Sequence, residues 1–211
     1  DEGKGKFVDL LAERAQVVVR STGGSNAGHT VWAGGRQYKL HQVPSGILYP
    51  GTLCVIGHGV VLDPPKLLEE MDRLAAQGVD LSNLRISGGA HIVFPFHIRL
   101  DEAEEDRKGD RKIGTTRRGI GPAYMDKFAR VGIRLIDMLD RDEFVPKLTA
   151  LVEEKNRILE KVYGLPGFTV EEIAEPYLEY AERLRPYVAN TVELVNDAID
   201  AGKNVLFEGA Q

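Results

Sequence analysis

The sequence predicts an α/β protein with a mixed, mostly parallel central sheet, flanking helices and a helical subregion. Three observations carry that prediction. Short apolar runs such as Val17-Val18-Val19 and Leu53-Cys54-Val55-Ile56 have the length and β-branched content of buried strands. They alternate with a segment of helical periodicity at 64–77, and the stretch after residue 100 is dominated by helical patterning before a last apolar run at 204–207.

Taken in order, Phe7, Leu10 and Leu11 recur at helical spacing, with Lys6, Asp9, Glu13 and Arg14 on the other face. Gln16 to Arg20 reads as a buried strand. Residues 21–30 switch to Gly, Ser, Asn and Thr, which is loop chemistry. Val31–Ala33 and Arg36–Gln42 flank Gly34-Gly35, a two-residue hairpin signal. Pro44-Ser45-Gly46 is a turn, Leu53–Ile56 a strand, and Val60–Leu62 a further strand-like run after Gly57-His58-Gly59. The helix from about Pro64 to Gln77 has Leu67, Leu68, Met71, Leu74 and Ala75 as one stripe, proline at its start and Gly78 at its stop.

Leu84–Ser87 and His91–Phe94 are the next strands. Residues 100–118 are expected to be a charged helix running into a Gly/Thr-rich loop, and two long helical patterns to fill the chain to Ala201, with Pro186 breaking the second. Asn204–Phe207 closes the pattern as a strand. The expected organisation is a single, incomplete domain: residues about 1–95 as an α/β part, about 96–202 as a mainly helical insertion, and 203–211 as a return strand. The first residue falls inside a motif and the last strand lacks a covering element, so truncation at both ends is expected.

Bulk properties exclude some functions. The chain has 211 residues, 43% hydrophobic, and a formal charge of -5, so no basic field suits it to coating nucleic acid. Its one cysteine, Cys54, cannot form an internal disulfide, and no apolar run reaches the roughly 18 residues of a membrane span. A cytoplasmic protein is the expectation.

Three segments carry chemistry. Asp1-Glu2-Gly3-Lys4-Gly5-Lys6 opens into a helix, an arrangement that offers free N–H groups, close backbone approach and positive charge to a phosphate. Alone it also reads as a charged chain end. Phe7 stands where a standard phosphate loop has the Ser or Thr that holds Mg²⁺, so another group must hold the metal. Gly23-Gly24-Ser25-Asn26-Ala27-Gly28-His29-Thr30 combines permissive backbone with an amide and an imidazole able to donate a proton; its bland reading is a surface turn. Ile113 to Tyr124 gathers glycines, Thr115, Thr116, Arg117 and Arg118, groups suited to phosphate oxygens. Upstream, Asp101, Glu102, Glu104, Glu105, Asp106 and Asp110 interleave with Arg107, Lys108, Arg111 and Lys112. That run reads as a solvated, self-compensating helix face.

Asp1–Lys6, Asn26-Ala27-Gly28-His29-Thr30, Pro44-Ser45-Gly46-Ile47-Leu48, Gly59-Val60-Val61-Leu62, Gly114-Thr115-Thr116 with Gly119–Tyr124, and Phe207-Glu208-Gly209-Ala210-Gln211 together resemble the adenylosuccinate synthetase family, in its order and approximate spacing over essentially the whole chain. The resemblance implies a P-loop-like, GTP-dependent ligase fold. It implies a reaction joining IMP and L-aspartate with GTP and Mg²⁺, through 6-phosphoryl-IMP, to give adenylosuccinate in purine biosynthesis.

By the same resemblance, Asp1 is the catalytic base that takes the N1 proton of IMP, and His29 is the general acid. Asp1 and the Gly28 carbonyl would ligate Mg²⁺. Asp1, Glu2, Gly3, Lys4, Gly5, Lys6, Gly28, His29 and Thr30 would contact GTP. Asp1, Glu2, Gly3, Lys4, Asn26, Ala27, Gly28, His29, Thr116, Arg130 and Gln211 would contact IMP, Arg130 reaching the site of a neighbouring copy in a homodimer. Nucleic acid and membrane are not expected partners. Arg117 and His58 depart from the family's pattern without touching these roles, while His41, His91 and His97 are expected to pack or lie at the surface. Two other readings remain open: a non-catalytic module that binds IMP or phosphate and dimerises, and a general P-loop-type NTPase.

Overall fold

The computed structural model describes residue 8, residues 10–109 and residues 113–209. Its centre is a five-stranded sheet in which every pairing is parallel. In chain order its strands are β1 (Val17–Arg20), β4 (Leu53–Ile56), β6 (Leu84–Ser87), β8 (Val188–Ala189) and β9 (Val205–Glu208). Their spatial order is β8-β6-β4-β1-β9. The chain therefore steps outward from β1 and returns at the end to its other side. A β-hairpin, β2 (His29–Ala33) and β3 (Arg36–Leu40), lies apart, as does the short parallel pair β5 (Val61–Leu62) and β7 (His91–Ile92).

Side-chain alternation along β1 explains how the sheet is covered on both faces. Val17 and Val19 pack with Val55 and Ala198, the last on helix α7 (Thr191–Asp200). Val18 faces the other way, onto Ala12 and Ala15. The main core gathers Cys54, Ile56, Leu84 and Ile86 with Leu67, Leu68, Met71 and Leu74 of α1 (Pro64–Ala76), so these four of the predicted stripe are the buried face, while Ala75 is exposed. Asp63 caps that helix by accepting from the Lys66 N–H at 3.3 Å. Gly34 and Gly35 both have positive φ, 55° and 77°, the backbone that a tight two-residue hairpin turn needs.

The helical part differs from the expected pair of long helices. It contains α2 (Pro95–Arg107), α3 (Ile120–Ala129), α4 (Leu135–Met138), α5 (Arg141–Ile158) and α6 (Val170–Leu184), followed after Pro186 by strand β8 and then α7. Pro186 does interrupt the pattern, but the chain beyond it first joins the sheet. Val188 pairs with Ile86 and Ala189 with Ser87. Only partnership with β6 makes so short a segment a strand. Among the described residues, no helix is long and apolar enough to cross a membrane.

Candidate functional site

In an open parallel sheet, ligands bind where the strand order reverses, outside the carboxyl ends of the strands. Here that point lies between β1 and β9. The loop after β1 contains Asn26, Ala27 and Gly28, and His29 and Thr30 open β2 directly behind it. Asn26, Gly28 and Thr30 are exposed while Ala27 and His29 are partly covered. The expected residues 26–30 thus form one continuous rim beside the crevice. Asp1, Glu2, Gly3, Lys4, Gly5, Lys6 and Gln211 lie outside the described residues.

The rim is held from beneath. Ser25 donates its hydroxyl to Asp63 at 3.0 Å, and Gln42 exchanges two hydrogen bonds with the Asp63 backbone. Burial raises the Asp63 carboxyl above its ordinary value. Glu70 accepts the N–H groups of His41 and Gln42 at 2.7 and 2.9 Å, fixing the chain as it leaves the hairpin. His41 in turn packs on Gly28, where a Cβ would stand 2.5 Å from the imidazole. Burial first, then the Arg118 and Arg73 guanidiniums, push His41 below its usual range. A recess of about 130 Å³ between Ser25, His41, Lys66, Arg73 and Arg118 adjoins the rim.

The 113–119 loop is brought to the same side. Ile120 sits against Gly24, and the Tyr124 hydroxyl accepts from the Gly23 N–H while donating to the Gly59 carbonyl, each at 2.8 Å. One side chain of α3 therefore knits the loops that follow β1 and β4. Thr116 is exposed in this loop. Arg130 lies at the opposite end of α3, exposed, in left-handed backbone with φ 65°.

The charged helix before this loop corrects the sequence reading. Asp101 and Glu105 are 8% and 2% exposed, not solvated. Asp101 accepts from the Thr115 hydroxyl and the Gly119 N–H, both at 2.9 Å, and Glu105 accepts from the Gly114 N–H. With His97 they recur every fourth residue on α2, which places them on one helix face. His97 takes the Phe94 N–H on Nδ1 and donates from Nε2 to Asp126 of α3. His97 is indeed a packing residue. The i, i+4, i+8 spacing was a readable signal, hidden among Glu102, Glu104 and the cations Arg107 and Lys108 that follow.

Sequence reasoning also missed a buried cluster at the switch point. Glu208 ends β9 and Arg20 ends β1; each is 1% exposed. Glu208 Oε1 lies 2.8 Å from Arg20 Nη1, and its Oε2 accepts from the Ser45 N–H at 3.0 Å and the Ser45 hydroxyl at 2.9 Å. His29 Nε2 stands 3.5 Å from Glu208 Oε1. Among the described residues no group of three or more His, Cys, Asp or Glu forms a metal centre. Burial pushes the lone thiol, Cys54, far up, which leaves it unreactive.

A family profile described as Adenylosuccinate synthetase matches residues 1–211. An adenylosuccinate synthetase of Symbiobacterium thermophilum is 98% identical over 211 residues, covering 100% of this chain and 49% of its own. The Shouchella clausii enzyme of the same name is 58% identical, with the same coverage. A fully ligated adenylosuccinate synthetase structure from Plasmodium falciparum superposes with a TM-score of 0.88 at 34% identity, over 100% of this chain and 49% of that one. The chain spans about half the length of the curated relatives it matches.

Proposed function

The chain belongs to the adenylosuccinate synthetase family, and from that premise we propose that it supplies the phosphoryl-transfer half of a GTP-dependent ligase joining IMP to L-aspartate. The observation that carries the reading is that Ile120 and Tyr124 of α3 pack against Gly24 and Gly23, in the loop that leads into the 26–30 rim, while Arg118 lines one recess with Ser25 and His41.

In this reading the Asp1 carboxylate takes the N1 proton of IMP, and the electron density released makes O6 nucleophilic. O6 then bonds to the γ-phosphorus of GTP as the β–γ bridging bond breaks and GDP departs. Lys4, Lys6 and the N–H groups of their loop neutralise the phosphates, with Glu2, Gly3 and Gly5 completing that cradle. His29 gives a proton to the charge that builds on the transferring group. The aspartate amine next forms its bond to C6 while the phosphate on O6 leaves. Asn26, Ala27, Thr116 and Gln211 hold IMP, and Thr30 borders the GTP side.

Oxygen donors suit Mg²⁺. Gly28 is exposed on the rim, and a methyl there would collide with His41, so its backbone stays open to a ligand. The Gly28 carbonyl and the Asp1 carboxylate would hold the ion, which when bound neutralises charge on phosphate oxygens. A second copy of the chain fits the exposed apolar residues Met125, Phe128 and Val131 that flank Arg130, and Arg130 would reach the IMP phosphate of that copy. The division at about residues 95 and 202 and a cytoplasmic location belong to the same proposal.

The test is turnover by the protein at its relatives' full length. IMP, GTP, L-aspartate and Mg²⁺ are expected to give adenylosuccinate, and Asp1→Ala is expected to abolish both IMP phosphorylation and ligation. A folded full-length protein that makes no product overturns the reading. Calorimetry with IMP on residues 1–211 separates the ligase reading from binding by this half alone.

A further inference from the structure

The Glu208 carboxylate sits at the switch point with both oxygens engaged, and its purpose is not explained by stability. A buried ion pair gains little once desolvation is counted. Moreover, among the described residues Arg20 Nε and Nη2 have no hydrogen-bond partner, so two of the three guanidinium nitrogens are not spent on the pair. Unspent buried donors are expected at working sites more than in structural clamps.

We propose that Glu208 is the positioning residue for His29, and that Arg20 and Ser45 exist to lock its carboxylate. The inference rests on His29 being the acid of the proposed reaction. Three elements converge on the group. Ser45, in the short helical turn Ser45–Leu48, binds Oε2 twice and stops the carboxylate from rotating. Arg20, at the end of β1, holds Oε1 at 2.8 Å and also reaches the Gly209 carbonyl at 3.5 Å. Oε1 keeps a second lone pair, and it is this oxygen that faces His29 Nε2 at 3.5 Å.

The consequence concerns which ring nitrogen does the work. A fixed carboxylate beside Nε2 stabilises a proton there, so Nδ1 is the nitrogen presented to the ligand. In the transfer step the imidazolium form of His29 gives its Nδ1 proton to the reacting oxygen and is left as the neutral ring, its remaining proton on Nε2 against Glu208. Glu208 itself gains no proton. Among the described residues, His41 couples to His29 across the Gly28 backbone, and Arg20 stands behind the carboxylate.

Two variants of the full-length protein test this, Glu208→Gln and the charge-balanced pair Arg20→Gln with Glu208→Gln. Both are expected to lower kcat by about tenfold to a hundredfold, the range found when orienting partners are removed, with KM for IMP and GTP within about threefold. Folded variants that keep kcat within about twofold overturn the proposal. If Glu208→Gln alone does not fold, the balanced pair decides. Nitrogen-15 spectra of the histidine rings in the unsubstituted protein, assigned by His29→Asn, need no folded Glu208 variant. A neutral His29 protonated at Nε2 supports the proposal, and one protonated at Nδ1 overturns it. Failure of the unsubstituted protein to turn over strikes the ligase reading instead, and the ring spectra still decide this one.

Discussion

His97 donates from Nε2 to Asp126 at 2.9 Å in a contact closed to water, joining α2 to α3. Lys155 of α5 reaches the other oxygen of the same carboxylate, so three helices meet at one charge. Asp126 also accepts, through its backbone carbonyl, the N–H groups of Val131 and Gly132 at 3.0 Å each. The segment around Arg130 is therefore held by this buried group.

Stability should fall on mild acidification because of His97. Burial pushes its imidazole below the ordinary value, against the pull of Asp126, so the folded state holds it neutral. The unfolded chain takes up a proton near pH 6.5, its usual value. The contribution is fully present above about pH 6.5 and is lost as pH falls toward the lower folded value. His41 and His91, also lowered, act in the same direction. Urea midpoints measured from pH 8 to pH 5 should decline, and His97→Gln should flatten that decline. An unchanged slope in the variant refutes the assignment.

Lys155→Met should cost about 3 kcal/mol, because it strands a buried carboxylate. Burial pushes Asp126 up, but the hydrogen bonds from His97 and Lys155 more than reverse this and hold it below the usual carboxylate range. Adding Asp126→Asn to Lys155→Met should recover most of the loss. A double-mutant cycle on denaturation midpoints measures both terms, and additive costs contradict the coupling.

Asp101→Ala should loosen the 113–119 loop by removing acceptors from Thr115 and Gly119. About 1 to 3 kcal/mol of local stability is at stake. Limited proteolysis should cut the variant faster within 113–119, and KM for IMP should rise more than kcat falls. An equally protected loop in the variant would count against the capping role.

Arg117→Gly should stabilise the protein by about 1 kcal/mol, the cost of holding an L-residue in left-handed backbone. Arg117 has φ 54°, and its contact with Asp106 is an exposed ion pair of small value. A higher Tm in calorimetry is the expected result; a lower one shows that the ion pair outweighs the strain.

Much of the fold was legible because its signals are local. Three valines announced β1, the glycine pair announced the hairpin, and proline, apolar stripe and glycine marked α1. β8 was not legible, since Val188 and Ala189 become a strand only by pairing with β6. The rim at residues 26–30 was readable from its residue types. Glu208 was not, because a carboxylate reads as solvated until the fold supplies its donors, and Asp101 and Glu105 left only their i, i+4 spacing after His97 as a sign.

By itself the sequence determined the class of the fold, the residues of the rim and the family, for each depends on short motifs and their order along the chain. Tertiary structure alone decided which charges are buried and what they hold. Arg20 and Glu208 are 188 residues apart and meet only because β9 returns beside β1. That return sets Glu208 within 3.5 Å of His29, since parallel strands bring their carboxyl ends to one edge.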